Sequence, residues 1–300
     1  MERQNPSRIF KAGYAALIGR PNTGKSTLMN TLLMQKLAIV SPRPQTTRHK
    51  ILGILNGEDC QIILLDTPGL LTPRYALQEA MKKAALQAME ESDVLLMLTE
   101  AFADPAEEKE ILDLLGTCPA PKIAVINKVD RVGKESLLPL IRHYSDTGLF
   151  REIIPVSALK NDNIDALVKS LSDCCPPGDP FYPPDQISDA PERFFASEII
   201  REQIFLRYGD EIPYACTVQV RQFRERPGRK DFIDAVITVE RDSQKGILIG
   251  RGGLSLKAAG EAARKAIEAF LDRPVFLQLT VRVREKWRSQ PDLLKEFGYL

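Results

Sequence analysis

Histidine and tryptophan are nearly missing from this 300-residue chain, which holds two of the first and one of the second. With only His49 and His143, there is little material for a histidine-rich metal centre or a histidine-based catalytic triad. The five cysteines, Cys60, Cys118, Cys174, Cys175 and Cys216, are odd in number and form no C-x-x-C. Zinc and a disulfide frame are therefore not expected, and the thiols read as core filler in a reducing compartment. No apolar run approaches the length that spans a bilayer, and the polar start Met1-Glu-Arg-Gln-Asn-Pro-Ser carries no apolar signal core, so a cytosolic protein is expected. Net charge is +1, which announces neither a global basic field nor an acidic disordered chain. A cationic surface, if present, is local.

What remains is an ordinary hydrophobic fraction of 44%, enough in a chain of this length for two moderate cores, so two domains are expected. Strand-like apolar runs recur at 14–19, 61–66, 94–99, 122–127 and 152–157 with helical stretches between several of them, the alternation of an α/β fold. Residues 49–56, the Gly57-Glu58 pair and the run at 61–66 read as a hairpin, which adds one antiparallel edge strand to an otherwise parallel sheet. From Cys174 to Pro191, six prolines in eighteen residues deny helix and strand alike and mark an extended linker. Beyond it come a helix at 192–208, strands at 214–224 and 230–241, two helices around Gly250–Gly253 and a strand at 274–284, an α+β pattern. The expected boundaries are 1–175 for the first domain, 176–191 for the linker and 192–300 for the second domain with its tail.

The strongest chemical signal is Gly19-Arg20-Pro21-Asn22-Thr23-Gly24-Lys25-Ser26, a G-x-x-x-x-G-K-[ST] loop whose backbone N–H groups wrap a nucleotide's phosphates. An apolar strand leads into it, and Lys25–Met34, including Thr27, leaves it with helical periodicity, so a helix N-terminus faces the phosphates. After the next buried run comes Asp66-Thr67-Pro68-Gly69, where the carboxylate at a strand end can hold the hydration shell of Mg²⁺ and the Gly69 N–H can face a γ-phosphate. The fourth run ends in Asn127-Lys128-Val129-Asp130, whose aspartate can accept from guanine N1–H and the 2-amino group. Adenine lacks that pair of donors and would leave the carboxylate desolvated and unpaired, so GTP or GDP is the expected ligand. Ser157-Ala158-Leu159 closes the fifth run, with the Ala158 N–H expected at guanine O6. Each motif alone has a bland reading as a turn. Four in order, each after a strand, share the ligand-bearing edge of one sheet.

Residues 14–172 resemble a translation-factor-type small GTPase domain, and Pro68 together with Gln45-Thr46-Thr47-Arg48-His49-Lys50 resembles the Era family in particular. The resemblance implies a first switch loop at 45–49, in which Thr47, or Thr46 as the fallback, meets Mg²⁺ beside Ser26 and Asp66. Lys25, Asn22 and Thr47 are then the candidate catalytic residues. Leu70 stands where many small GTPases carry a water-orienting glutamine, so slow intrinsic turnover is expected. Asn22 matches an asparagine that helps hold a potassium ion in similar GTPases; its bland role is to cap a turn.

Gly250-Arg251-Gly252-Gly253 is a G-x-x-G at a helix–helix junction, where glycine lets the backbone approach a nucleic acid. With the α-β-β-α-α-β order it resembles the type II KH domain that follows the GTPase domain in the Era family, so the resemblance spans nearly the whole chain. Ile247, Ile249 and Leu254 are candidates for base contact or for core, and Arg251 and Lys257 for phosphate contact. Trp287 either stacks on a base or anchors a final helix at 291–299. Arg221, Arg224, Arg226, Arg229 and Lys230 gather at an expected hairpin tip, as a solvated turn or a contact to RNA.

The family resemblance implies a switch protein that binds the single-stranded 3′ end of 16S ribosomal RNA and assists maturation of the small (30S) subunit, as a monomer, with peripheral contact to the inner membrane face. Three alternatives start from the same motifs: an ATP-using phosphotransferase, an RNA-binding factor with a vestigial nucleotide domain, and a related GTPase acting on transfer RNA or the large subunit.

Overall fold

The computed structural model describes residues 9–300, so the polar start lies outside the described residues. Contacts divide the chain into two units. One runs up to Ala38 and takes in Thr47–Leu71 and Lys82–Asp189; the other comprises Ile39–Thr46, Thr72–Met81 and Ala190–Leu300.

The first unit follows β1 (Lys11–Ile18), α1 (Lys25–Leu32), β2 (Ile51–Asn56), β3 (Cys60–Asp66), α2 (Ala76–Glu90, of which the part from Lys82 belongs here), β4 (Val94–Glu100), α3 (Lys109–Gly116), β5 (Lys122–Asn127), α4 (Leu137–Asp146), β6 (Glu152–Pro155) and α5 (Ile164–Cys174). The strands form one sheet in the order β2-β3-β1-β4-β5-β6, parallel except for the antiparallel β2–β3 hairpin. β3 and β5 are buried at every position, the mark of strands covered on both faces. The order reverses at β1, between β3 and β4, so the loop after β1 opens at the point where α/β sheets carry their ligands.

The proline-rich segment has no helix of its own but is tied to this sheet. Gln61, within an otherwise apolar strand, accepts the N–H groups of Phe181 at 2.7 Å and Tyr182 at 3.0 Å and donates to the Tyr182 carbonyl at 2.8 Å. Further along, Ile54 N–H donates to the Ile187 carbonyl at 2.9 Å and Ser188 Oγ to the Leu52 carbonyl at 2.6 Å. Proline removes donors but leaves carbonyl acceptors, so an extended segment can still lie along a strand.

The second unit follows α6 (Glu192–Arg207), the single turn α7 (Ile212–Ala215), β7 (Thr217–Arg224), β8 (Asp231–Val239), α8 (Asp242–Ile249), α9 (Leu254–Leu271), β9 (Val275–Val283) and α10 (Pro291–Glu296). Its sheet runs β7-β8-β9, with β7 antiparallel and β9 parallel to β8. One face, Ile233, Ala235 and Ile237 with Val218 and Val281, packs against Ile199, Ile200 and Ile204 of α6 and Ala259, Ala263 and Ile267 of α9. Trp287 is fully buried with Leu77, Met81, Leu294 and Phe297, and its Nε1 donates to the Ala215 carbonyl at 2.8 Å. Of its two readings, base stacking is corrected: the ring is core, and the helix it anchors ends at Glu296 rather than at residue 299.

Candidate functional site

The loop after β1 is shaped by glycines that cannot be replaced. A Cβ on Gly19 would stand 2.3 Å from the Leu98 carbonyl oxygen, and one on Gly24, at φ +99, would stand 2.2 Å from Asn127 Nδ2. Gly24 also caps α1 without a side-chain hydrogen bond, leaving the first N–H groups of the helix open toward an anion. Inside the loop, buried Lys25 donates from Nζ to the carbonyls of Gly19 at 3.1 Å and Arg20 at 2.8 Å. Burial lowers its pKa to about 8, against the opposing pull of Asp66.

Asp66, at the end of β3, is fully buried, and burial raises its pKa to about 6 against the hydrogen bond from Ser26, the charge of Lys25 and the hydrogen bond from Thr47. Ser26 Oγ donates to Asp66 Oδ2 at 2.7 Å and lies 2.8 Å from Thr47 Oγ1, which itself reaches Oδ2 at 3.3 Å. Asp66 Oδ1 is buried with no hydrogen-bond partner. Two hydroxyls and a carboxylate with an oxygen left over are hard donors of the type Mg²⁺ takes, so the residues fit that ion. Thr46 does not join them: its hydroxyl bonds Ser41 Oγ at 2.6 Å and the Arg43 carbonyl at 2.8 Å.

Other motif residues serve the loop's shape. The Thr67 hydroxyl is fully buried and donates to the Leu17 carbonyl at 2.7 Å, so its side chain is turned away from a ligand. Thr23 Oγ1 donates to the Arg20 carbonyl at 3.0 Å, and Arg20 forms an outward ion pair with Glu107. Gly69 follows Pro68 beside the loop, where a Cβ would come within 2.6 Å of Pro21 N. Leu70 N–H donates to the Gly19 carbonyl at 3.1 Å and its side chain joins the core, so it presents no polar group to water. Thr27 lies in the first turn of α1.

The base-side loops meet at Asn127. Its Nδ2 donates to the Thr23 carbonyl at 2.9 Å, while Oδ1 accepts from Lys128 N at 2.8 Å and Ala158 N at 3.0 Å. The Ala158 N–H expected at guanine O6 thus has a partner within the protein. Lys128 Nζ reaches the Asn22 carbonyl at 2.7 Å, pairs with Glu100 and lies over the Phe102 ring. Asp130 Oδ1 accepts from Ser157 Oγ at 2.6 Å, which lowers its pKa and holds an exposed carboxylate charged beside the loop at 157–158. Glu100 and Phe102 escaped the motif reading. Glu100 is paired in register with Asn127, so its place at the ligand edge was the available signal.

In the second unit, Gly250, Gly252 and Gly253 have φ of +72, +57 and +77. Gly250 would meet Ser255 at 2.6 Å with a Cβ, but Gly252 and Gly253 have nothing within 4 Å, and exposed Arg251 stands between. Tyr208, unremarked in the sequence, anchors the loop from beneath: its OH donates to the Leu248 carbonyl at 2.9 Å and accepts from Ser255 Oγ at 2.9 Å. Ile247 and Leu254 are 60% and 69% exposed and stand free for contact, Lys257 is exposed, and Ile249 packs partly against the core.

Among the described residues no group of three or more His, Cys, Asp or Glu could hold a metal, and no helix is long and apolar enough to cross a membrane.

A family model described as 50S ribosome-binding GTPase matches residues 14–128, and a KH domain model matches residues 211–288. GTPase Era of Geotalea daltonii is 49% identical over 97% of this chain and 98% of its own length. GTPase Era of Ruminiclostridium cellulolyticum is 44% identical over the same shares. A crystal structure of an Aquifex aeolicus Era variant bound to GDP.AlF4- matches with a TM-score of 0.93 at 39% identity, covering 97% of this chain and 99% of that one. A crystal structure of Era in complex with MgGDPNP and nucleotides 1506-1542 of 16S ribosomal RNA matches with the same TM-score, identity and coverage. With a phosphate loop, a hard-oxygen cluster and a G-x-x-G loop all in place, and with relatives this similar along its length, the chain belongs to the Era family of GTPases.

Proposed function

We propose that this protein is a GTP-operated switch that binds the single-stranded 3′ end of 16S ribosomal RNA through its KH domain and assists maturation of the small ribosomal subunit. The observation that carries the nucleotide half is the meeting of Ser26, Thr47 and Asp66 with Asp66 Oδ1 left unpartnered. The RNA half is supported by the open glycine backbone at 252–253 and by the 16S RNA fragment bound to the similar Era structure.

In this reading the N–H groups along residues 19–27, other than Pro21, which has none, cradle the phosphates, with Pro21 and Asn22 shaping the turn, and Lys25 leaves its loop carbonyls for the β- and γ-phosphates. Ser26, Thr47 and Asp66 would hold Mg²⁺, which neutralises the charge that develops on the transferring phosphoryl oxygens. Gly69 N–H would meet the γ-phosphate, Asp130 reads the guanine donors, and Asn127, Lys128, Ser157 and Ala158 wall the base. Leu70 supplies no polar side chain, so turnover is slow unless another group orients water. Asn22 and a potassium ion are the candidate supplement; equal hydrolysis in KCl and NaCl removes it.

GTP would order residues 41–50 and 66–74 and favour the RNA-competent state. Parts of both segments, residues 41–46 and 72–74, belong to the compact unit that carries the KH fold. Within it Val40 N–H donates to Glu202 at 2.9 Å, and the Arg288 guanidinium lies 4.9 Å from the Tyr75 ring centroid. Peripheral membrane contact is carried by the family resemblance alone, and sedimentation with anionic vesicles tests it. The phosphotransferase alternative is opposed by Asp130, and the vestigial-domain alternative by intact Lys25, Ser26 and Asp66. Crosslinking of the GTP-analogue-bound protein to RNA in extract, followed by sequencing, tests the role. Enrichment of the small-subunit RNA 3′ end is expected; enrichment of transfer RNA or large-subunit RNA overturns it.

A further inference from the structure

The sheet of the second unit has two faces, and only one belongs to the core described above. Register places the outer face in four rows: Thr217-Thr238-Arg282, Gln219-Val236-Thr280, Gln222-Asp234-Gln278 and Arg224-Phe232-Phe276. The first two rows are engaged by the C-terminal segment. Thr217 shares a hydrogen bond with Tyr299 at 3.0 Å, Gln219 donates to the Glu296 carbonyl at 2.9 Å, and Arg282 pairs with Glu296. No hydrogen bond from that segment reaches the last two rows among the described contacts, and Gln222, Gln278, Arg224 and Phe276 are exposed.

The open half has an unusual composition for a solvated sheet. Phe232 and Phe276 lie parallel, 6.0 Å apart at 14°, with Phe276 53% exposed, and the Arg226 guanidinium lies 4.9 Å from the Phe232 ring centroid. Next to this pair, Asp234 Oδ1 is shielded from solvent yet has no hydrogen-bond partner, between two glutamine amides. Along the rim, Arg221, Arg224, Arg229 and Lys230 are exposed, and none forms an ion pair among the described residues. Aliphatic side chains, which a protein partner would bury, are absent from both open rows. Aromatic faces for stacking, amides and a carboxylate acceptor for base edges, and unpaired arginines for phosphates are the chemistry of single-stranded nucleic acid.

We propose that the outer half-sheet centred on Phe232, Phe276 and Asp234 is a second binding surface for single-stranded RNA, distinct from the glycine loop at 250–253. Bases stack on the Phe232–Phe276 pair, a base bearing an exocyclic amino group donates to Asp234, and Arg224, Arg229 and Lys230 meet the phosphates. The proposal rests on the reading that the chain binds RNA, and it adds a site that the glycine loop does not require.

The test uses the full-length protein with two single-stranded probes from the small-subunit RNA 3′ end, one of about four nucleotides, which the glycine loop clamps alone, and one of about twelve. Phe276→Ala is expected to weaken the longer RNA about tenfold, from the loss of one stacked base, and to leave the short one unchanged. Phe276→Tyr restores binding, and Arg224→Gln lowers the salt dependence of the longer RNA by about one counterion. Equal affinity of Phe276→Ala and wild type for the longer RNA overturns the proposal and leaves this face to a protein partner or to solvent. Equal losses on both probes also overturn it, because they indicate damage to the domain. Wild-type protein that binds neither probe fails the RNA reading itself.

Discussion

The molecule has two glycine loops, and they are built on opposite principles. In the phosphate loop the glycines are walled in: Gly19 and Gly24 face the Leu98 carbonyl and Asn127 at distances no Cβ can occupy, and a charged lysine is buried among carbonyls. At 252–253 the glycines face open space and differ from other residues only in their positive φ. A compact polyphosphate with a hard cation calls for converging, desolvated dipoles fixed in advance. A nucleic-acid strand calls for an accessible ledge of backbone. The first loop therefore fails by collision or lost charge, the second by conformational strain.

The largest expected effect lies in the walled loop. Lys25→Ala removes the buried ammonium that we propose moves from its loop carbonyls to the phosphates, and should lower single-turnover GTP hydrolysis by at least about a hundredfold, while leaving the affinity of nucleotide-free protein for a short RNA unchanged. Stopped turnover assays and RNA titrations on the same preparation separate the two. Next is Asp130→Asn, which exchanges an acceptor for a donor at the guanine edge. Competition binding should show a swing from guanine toward xanthine nucleotides of about a hundredfold, and an unchanged preference would remove Asp130 from base recognition.

The open loop should respond more mildly. Gly253→Ala meets no neighbour but must hold φ near +77, at a cost of about 1–2 kcal/mol. RNA affinity should fall by about tenfold with GTP hydrolysis intact, whereas Gly24→Ala, read by nucleotide binding, should fail outright. If both alanines behave alike, the contrast between the loops is wrong.

The smallest effect is electrostatic and concerns acid. Burial pushes Asp231 upward, but hydrogen bonds from Arg273 and the Arg226 N–H outweigh it, and its pKa lies below the ordinary carboxylate value. Its stabilising contribution is thus complete above the unfolded pKa and is lost as pH falls through the lower folded one. Asp231→Asn should flatten the acid-side decline in stability of the second unit, followed by hydrogen exchange of β8. A decline as steep as in wild type would show that this ion pair does not set it.

Much of this was legible because the strands at 61–66, 94–99 and 122–127 are covered on both faces and read as apolar runs with polar residues only at their ends. The loops between them were legible through spacing, since phosphate, metal and base chemistry each demand particular residue types after a strand. What the chain did not disclose was direction. Thr67 and Thr47 are both plausible hydroxyl ligands by composition, yet one turns into the core toward Leu17 and the other toward Asp66. Gln61 opens the run at 61–66 with nothing local to say why an amide stands there, because its role in fastening residues 181–182 depends on a partner 120 residues away. Trp287 offered an aromatic face to either RNA or core, and only packing against Leu77 and Leu294 decides between them. Long-range partners of this kind leave no local periodicity.

The most direct test of the account is the affinity of the full-length protein for the 3′-terminal single strand of 16S ribosomal RNA, measured with GDP and with a non-hydrolysable GTP analogue at fixed salt. A guanine-nucleotide switch predicts tighter binding with the analogue, and a Gly253→Ala variant that binds the RNA about tenfold more weakly in both states. Equal affinity in the two nucleotide states would contradict the switch, even if each loop binds its own ligand.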